Sequence, residues 1–139
     1  MSIYLLDTDT LSLYYHEDKG VVSRLDSRSA TELAISIVTV EEQLTGWYTL
    51  LKQARHPREI AHAYDRLGQA VFRLARWRIL PYSEPAIARV AYLKTLKLNV
   101  GIMDLRIAAI ALENDAVVVT RNRRDFVRIP GIRMEDWCL

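Results

Sequence analysis

Short apolar runs that alternate with longer stretches of helical periodicity constrain this chain more than any other feature. Ile3-Tyr4-Leu5-Leu6 comes first and ends at Asp7, and Leu33 to Val38 (LAISIV) comes second. Ile79-Leu80 is a brief third, Ala116-Val-Val-Val-Thr120 is the clearest, and Ile132-Arg-Met134 adds a short edge strand. Thr39 stands where an N-cap belongs, and Val40, Leu44, Trp47 and Leu51 then keep helical spacing over 40–54. Pro57 opens a second helix, in which Ile60, Tyr64, Leu67, Val71 and Leu74 hold the period to about Trp77. Pro85 opens another to about Leu98, and Gly101 breaks the chain. Asp104 heads a helix whose Leu105, Ala108, Ala109 and Leu112 face one way. Strands separated by helices pair in parallel through right-handed crossovers, with helices on both faces. The fold class is therefore α/β.

At 139 residues, half of them hydrophobic, the chain has enough apolar material for one core covered on both faces, so 1–139 is expected to be a single domain. A net charge of +2 does not announce a nucleic-acid binder. The distribution says more, because Arg121, Arg123, Arg124, Arg128 and Arg133 face a single acid, Asp125, over 121–133. Cys138 is the lone cysteine, which excludes an intramolecular disulfide framework. The first strand begins within three residues of Met1, leaving no room for a signal peptide, and no apolar run approaches the ~20 residues of a membrane span. The expectation is a cytoplasmic protein without membrane contact.

Parallel sheets of this kind take ligands beyond the carboxyl ends of their strands. That rule selects Asp7, the segment from Thr39 to Glu42, and the segment from Thr120 to Asp125. Asp104 joins them only through the tertiary fold. A lone Asp after a strand is as readily a helix cap, and Asp9 or Thr10 serves equally well in that role. Recurrence shifts the balance, since Glu42 and Asp104 also stand in the first turns of helices. A carboxylate near a helix N-terminus gains roughly 0.3–1 kcal/mol, so each acid is explicable alone. A convergent set is not, because like charges raise one another's pKa and cost stability. A divalent cation resolves that conflict, and oxygen ligands suit Mg²⁺, with Mn²⁺ as substitute. Arg121, Arg123 and Arg124 lie at the same expected edge and are candidates to hold phosphates, with solvated arginines as the plainer reading.

Four segments carry a family resemblance that runs nearly end to end: LLDTDTLS (5–12), SIVTVEEQLTG (36–46), DLRIAAIAL (104–112) and VVTRNRRDFVRIPGIRMEDW (118–137). Together they resemble PIN-domain ribonucleases of the VapC toxin type. The resemblance implies a three-layer α/β/α sandwich with a central parallel sheet and Mg²⁺-dependent hydrolysis of RNA. It casts Asp7 and Asp104 as principal metal ligands, with Glu42 as a ligand (directly or through water) or as the base. It places the last acidic position on Asn122 or Asp125, and gives Thr8, Asp9 and Thr120 the task of ordering the site. It further implies a cognate VapB-like antitoxin and a homodimer. Two rivals remain in view. Asp7-Thr8-Asp9-Thr10 also fits the D-x-D-x-T pattern of haloacid-dehalogenase-type phosphatases, with Asp7 as nucleophile and Asp9 as acid/base. A PIN-like module that only binds RNA or protein is the other, favoured by the missing acid at Asn122. His16, His56 and His62 lack ligand spacing and are expected at the surface. Trp47, Tyr48, Tyr64, Phe72 and Trp77 are expected to be mostly core, with some forming a groove for an antitoxin helix.

Overall fold

The computed structural model describes residues 2–138 and places five strands in one parallel sheet of order β3-β2-β1-β4-β5. The strands are β1 (Ile3–Leu6), β2 (Leu33–Ser36), β3 (Ile79–Leu80), β4 (Ala116–Val119) and β5 (Arg133–Glu135). The helices are α1 (Thr8–Tyr15), α2 (Lys19–Asp26), α3 (Ile37–Gln53), α4 (Pro57–Ala75), α5 (Glu84–Thr95), α6 (Ile102–Glu113) and the single turn α7 (Arg123–Phe126). A 3₁₀ turn, Ala30–Glu32, leads into β2.

Side chains alternate across the sheet, as the period of two requires. Leu5, Ala34 and Val118 face one layer, where they pack on Val90 and Leu93 of α5 and Ile107 and Ile110 of α6. Leu6, Ile35 and Val119 face the other, against Leu11, Val21 and Leu25 of α1 and α2 and Leu74 of α4. β2 and β4 are buried along their whole length, the mark of parallel strands covered on both faces. This is the α/β/α sandwich expected from the resemblance. Chain order reverses between β1 and β4, so the crevice at their carboxyl ends is the topological switch point.

Several boundaries differ from the expected ones, each for a local reason. The second strand stops at Ser36, not Val38, because the Ser36 hydroxyl accepts the Thr39 amide at 3.1 Å and so caps α3. Ser36 is the N-cap in place of Thr39, and Ile37 is already out of the sheet and exposed. α4 ends at Ala75, two residues short of Trp77. α5 starts at Glu84 behind a Ser83 cap and stops at Thr95, after which Lys97 and Asn99 adopt positive φ. Gly101 is the extended N-cap of α6, which makes Asp104 its third residue and not its head. The edge strand lies one residue later than Ile132–Met134. α2, capped by Asp18, and α7 left no periodicity long enough to read. Among the described residues no helix is long and apolar enough to cross a membrane.

The aromatic residues depart most from expectation. Tyr48, Tyr64 and Phe72 are 49%, 61% and 76% exposed, so they are not core. Trp47 and Trp77 are half-buried, and the histidines at 16, 56 and 62 are at the surface as expected.

Candidate metal centre

Asp7 reaches the switch point because β1 ends there and its own carboxylate starts the next helix. Its Oδ1 accepts the Thr10 amide at 2.8 Å and its backbone N–H donates to Val119 O at 3.0 Å. The residue thus sits between the ends of β1 and β4 and is only 6% exposed. Burial pushes its pKa up, and hydrogen bonds from Thr120 and Thr10 pull against that push. The charge of Asp9 adds a smaller upward contribution.

Asp104 enters from the opposite layer on the first turn of α6. Burial raises its pKa first, and the charge of Asp7 second; Asp125 and Glu42 push in the same direction. Asp104 therefore feels three other carboxylates at once, and each belongs to a different segment of the chain. Asn122 offsets this, since its Nδ2 donates to Asp104 Oδ2 at 3.1 Å and to Asp125 Oδ2 at 3.0 Å. Asn122 and Asp125 both stand at the site, with the amide as the bridge between two acids. Its own position is held by Thr120, whose hydroxyl accepts the Asn122 N–H at 2.9 Å.

Glu42 is oriented from the other side. The Thr8 hydroxyl donates to Glu42 Oε1 at 2.5 Å and lies 3.1 Å from the Thr39 hydroxyl. Thr8 thus stands between Glu42 and Thr39. Glu41, its neighbour on α3, is exposed and takes no part. Thr39, read from sequence as a cap and within the segment at the ligand-binding edge, is fully buried beside Thr8. No sequence signal distinguishes those two roles for a threonine in a helical first turn.

Asp9 and Arg121 stand slightly apart from the acids. Arg121 grips the Asp9 carboxylate through Nε at 2.8 Å and Nη2 at 3.1 Å, with both side chains half exposed. Asp9 so positions an arginine and does not hydrogen-bond Asp7. Arg123 and Arg124 are exposed on α7. An acid/base role for Asp9, as the phosphatase pattern requires, does not fit a carboxylate tied to a guanidinium and turned to solvent.

The donor set is entirely oxygen, and Asn122 and Thr8 hydrogen-bond its carboxylates without cancelling their charge. Among the described residues, no group of three acidic, histidine or cysteine side chains is so placed that it could hold a metal ion by itself. Mg²⁺ does not need one, because it commonly keeps several waters and uses one or two carboxylates. The residues fit such an ion, and they fit zinc poorly for want of nitrogen or sulfur.

Comparison with known proteins agrees with the fold. The family model described as PIN domain matches residues 4–132. The toxin FitB of Neisseria gonorrhoeae is 34% identical over 128 residues, covering 88% of this chain and 89% of that protein. The tRNA(fMet)-specific endonuclease VapC of Salmonella typhimurium is 28% identical over 139 residues, covering 97% and 98%. Among solved structures, DNA-bound VapBC from Salmonella typhimurium matches with a TM-score of 0.79 at 29% identity, covering 99% of this chain and all of that one.

Proposed function

The chain belongs to the PIN-domain family, and on that premise we propose that it is the ribonuclease toxin of a VapBC-like toxin–antitoxin pair, hydrolysing RNA phosphodiester bonds at Asp7, Glu42 and Asp104. The observation that carries this reading is the gathering of Asp7, Glu42, Asp104 and Asp125 at the switch point of the sheet, held there by Thr10, Thr8 and Asn122. Four acids from four segments do not gather there for stability, since like charges brought together repel unless a cation lies between them. The curated relatives are named as a toxin and as a tRNA endonuclease, which supports the same class of chemistry.

Asp7 and Asp104 are the residues that would hold Mg²⁺ or Mn²⁺, with Glu42 contributing directly or through water. The chemistry such an ion supplies is polarisation of a phosphoryl oxygen and acidification of water. Glu42, fixed by Thr8, orients the attacking water and takes its proton. The water oxygen bonds to phosphorus, the bond from phosphorus to the departing oxygen breaks, and that oxygen recovers a proton. Asn122 keeps Asp104 and Asp125 in place without adding a further charge. Arg121, braced by Asp9, and the exposed Arg123 and Arg124 would meet RNA phosphates at the same edge.

Regulation by a protein partner belongs to the same reading. Solved structures similar to this chain are those of FitAB and VapBC, each bound to DNA. The exposed Tyr48, Tyr64 and Phe72 on α3 and α4 offer apolar anchors for an amphipathic antitoxin helix. An antitoxin arginine reaching Asp7 and Asp104 would displace the cation, and a homodimer is expected of such toxins. The test is cleavage of an RNA pool with Mg²⁺, with Mn²⁺ and with excess chelator. Cleavage should need the metal and vanish in Asp104→Asn. Undiminished cleavage in chelator sinks the mechanism, and folded protein that binds RNA without cutting it would make this a binding module.

A further inference from the structure

A groove leads away from Glu42 across α1, α3 and α4, and its chemistry differs from that of the acidic cluster. It begins in a depression beside Glu42, Gln43 and Trp47. It continues past Tyr15, Arg66 and Arg73, sharing Gln43 and Trp47 with the first. It ends in a depression of about 380 Å³, which shares Tyr15 and Arg73 and adds Trp77, Arg76 and Arg78. α1 has eight residues, so about 12 Å separates Asp7 from Tyr15, where this last depression begins.

Beyond Glu42 the walls carry four arginines and no carboxylate. Among the described residues none of the four has an acid within ion-pair distance. Arg73 is the most telling, because its Nε is buried without any hydrogen-bond partner. Its guanidinium lies 4.9 Å from the Tyr15 ring centroid, and stacking of that kind engages the flat face and leaves the terminal Nη groups, not the buried Nε, to donate. The rings themselves are held in place. Trp77 Nε1 donates to the Tyr15 hydroxyl at 3.0 Å, and Tyr14 meets Trp77 edge-on at 6.0 Å.

Guanidinium groups interleaved with fixed aromatic faces are the chemistry that accepts a single nucleic-acid strand, phosphates on the cations and bases on the rings. We propose that this groove carries the RNA strand on one side of the scissile phosphate, with Arg73 and the Arg76–Arg78 pair as phosphate anchors a few nucleotides from the cut. The inference rests on the ribonuclease reading above and adds where the substrate runs. An acidic protein segment is the competing occupant, and the experiment distinguishes it.

Two single-stranded RNAs carrying 5′-fluorescein, of about 12 and about 4 nucleotides, serve as probes. Binding is followed by anisotropy in chelator across a salt series, and cleavage in Mg²⁺. Arg76→Gln/Arg78→Gln is the main variant, because both residues are exposed; Arg73→Gln and Arg73→Lys accompany it. The double variant should bind the longer RNA roughly 10-fold more weakly, with a salt slope shallower by about 0.7 for each lost contact. It should bind and cleave the shorter RNA as the wild type does. Wild-type affinity, salt slope and cleavage on the longer RNA would overturn the proposal. So would unchanged RNA binding combined with lost affinity for the cognate antitoxin, which would assign the groove to protein. If the wild type cleaves neither strand but the variant still loses binding, the groove stands and the ribonuclease reading falls. If the wild type neither cleaves nor binds, both fall.

Discussion

Replacing Asp7 by Asn and by Ala separates the two tasks its carboxylate performs. The structural task is the cap, in which Oδ1 accepts the Thr10 amide at 2.8 Å. Asn retains an oxygen for that bond and ranks with Asp as a cap, whereas Ala loses it at a cost of about 1 kcal/mol. For a domain of this size about 1 kcal/mol moves Tm by about 4 °C. The charge acts in the opposite sense. The N-terminus of α1 favours a negative charge by roughly 0.3–1 kcal/mol. Burial and Asp9 disfavour it, and the raised pKa of Asp7 shows that they win. In chelator at pH 7, Asp7→Asn should therefore melt at or above the wild type, and Asp7→Ala about 4 °C below Asp7→Asn. Both should lose RNA cleavage, since neither keeps the charge. Circular-dichroism melts beside a cleavage assay measure the two tasks in parallel. An Asn variant that melts as low as the Ala variant would show that the charge itself is structural. An Asn variant that still cleaves would remove Asp7 from the chemistry.

Other consequences follow from the same geometry. Glu42→Gln should abolish cleavage and Glu41→Gln should not, because neighbours on a helix point about 100° apart and only Glu42 meets Thr8; the reverse result would place the wrong glutamate at the site. Asp7 and Asp104 both have raised folded-state pKa values, so between the unfolded value near 3.8 and the folded values the native state holds the extra protons. The metal-free protein then loses stability as pH rises through that window. The gain in Tm from Asp7→Asn/Asp104→Asn in chelator should accordingly be larger at pH 7 than at pH 4, and an opposite trend refutes the assignment of these shifts. Gly20→Ala should destabilise by about 1–3 kcal/mol, because its Cβ would lie 2.6 Å from the Trp137 carbonyl oxygen and backbone cannot yield as a side chain does. Wild-type denaturant stability in that variant would show the contact to be loose.

What could be read from sequence depended on whether the deciding physics was local. β1 and β4 are short apolar runs bounded by polar residues, and Asp7 follows directly from the end of β1. The end of β2 was not legible, because Ser36 lies inside the apolar run LAISIV and only its hydroxyl geometry reveals a cap. Periodicity placed Tyr64 and Phe72 on a helix, but a spacing does not say which face a neighbour covers, and both proved exposed. Asn122 and Asp125 were rivals for one position in the sequence. The turn of α7 folds Asp125 back onto Asn122, whose amide bonds both Asp104 and Asp125 and so joins what the sequence set as alternatives. The groove of Arg66, Arg73 and Arg76 was invisible, because its walls come from three helices whose packing no single motif encodes.

The most direct test of the central claim is to locate the cation itself. Crystals of the wild-type protein equilibrated with Mn²⁺ should show an anomalous difference peak against the carboxylates of Asp7 and Asp104, with Glu42 facing it, and Asp104→Asn crystals should lack that peak. A map with no peak among these acids, from protein that still cleaves RNA under the same conditions, would contradict the account.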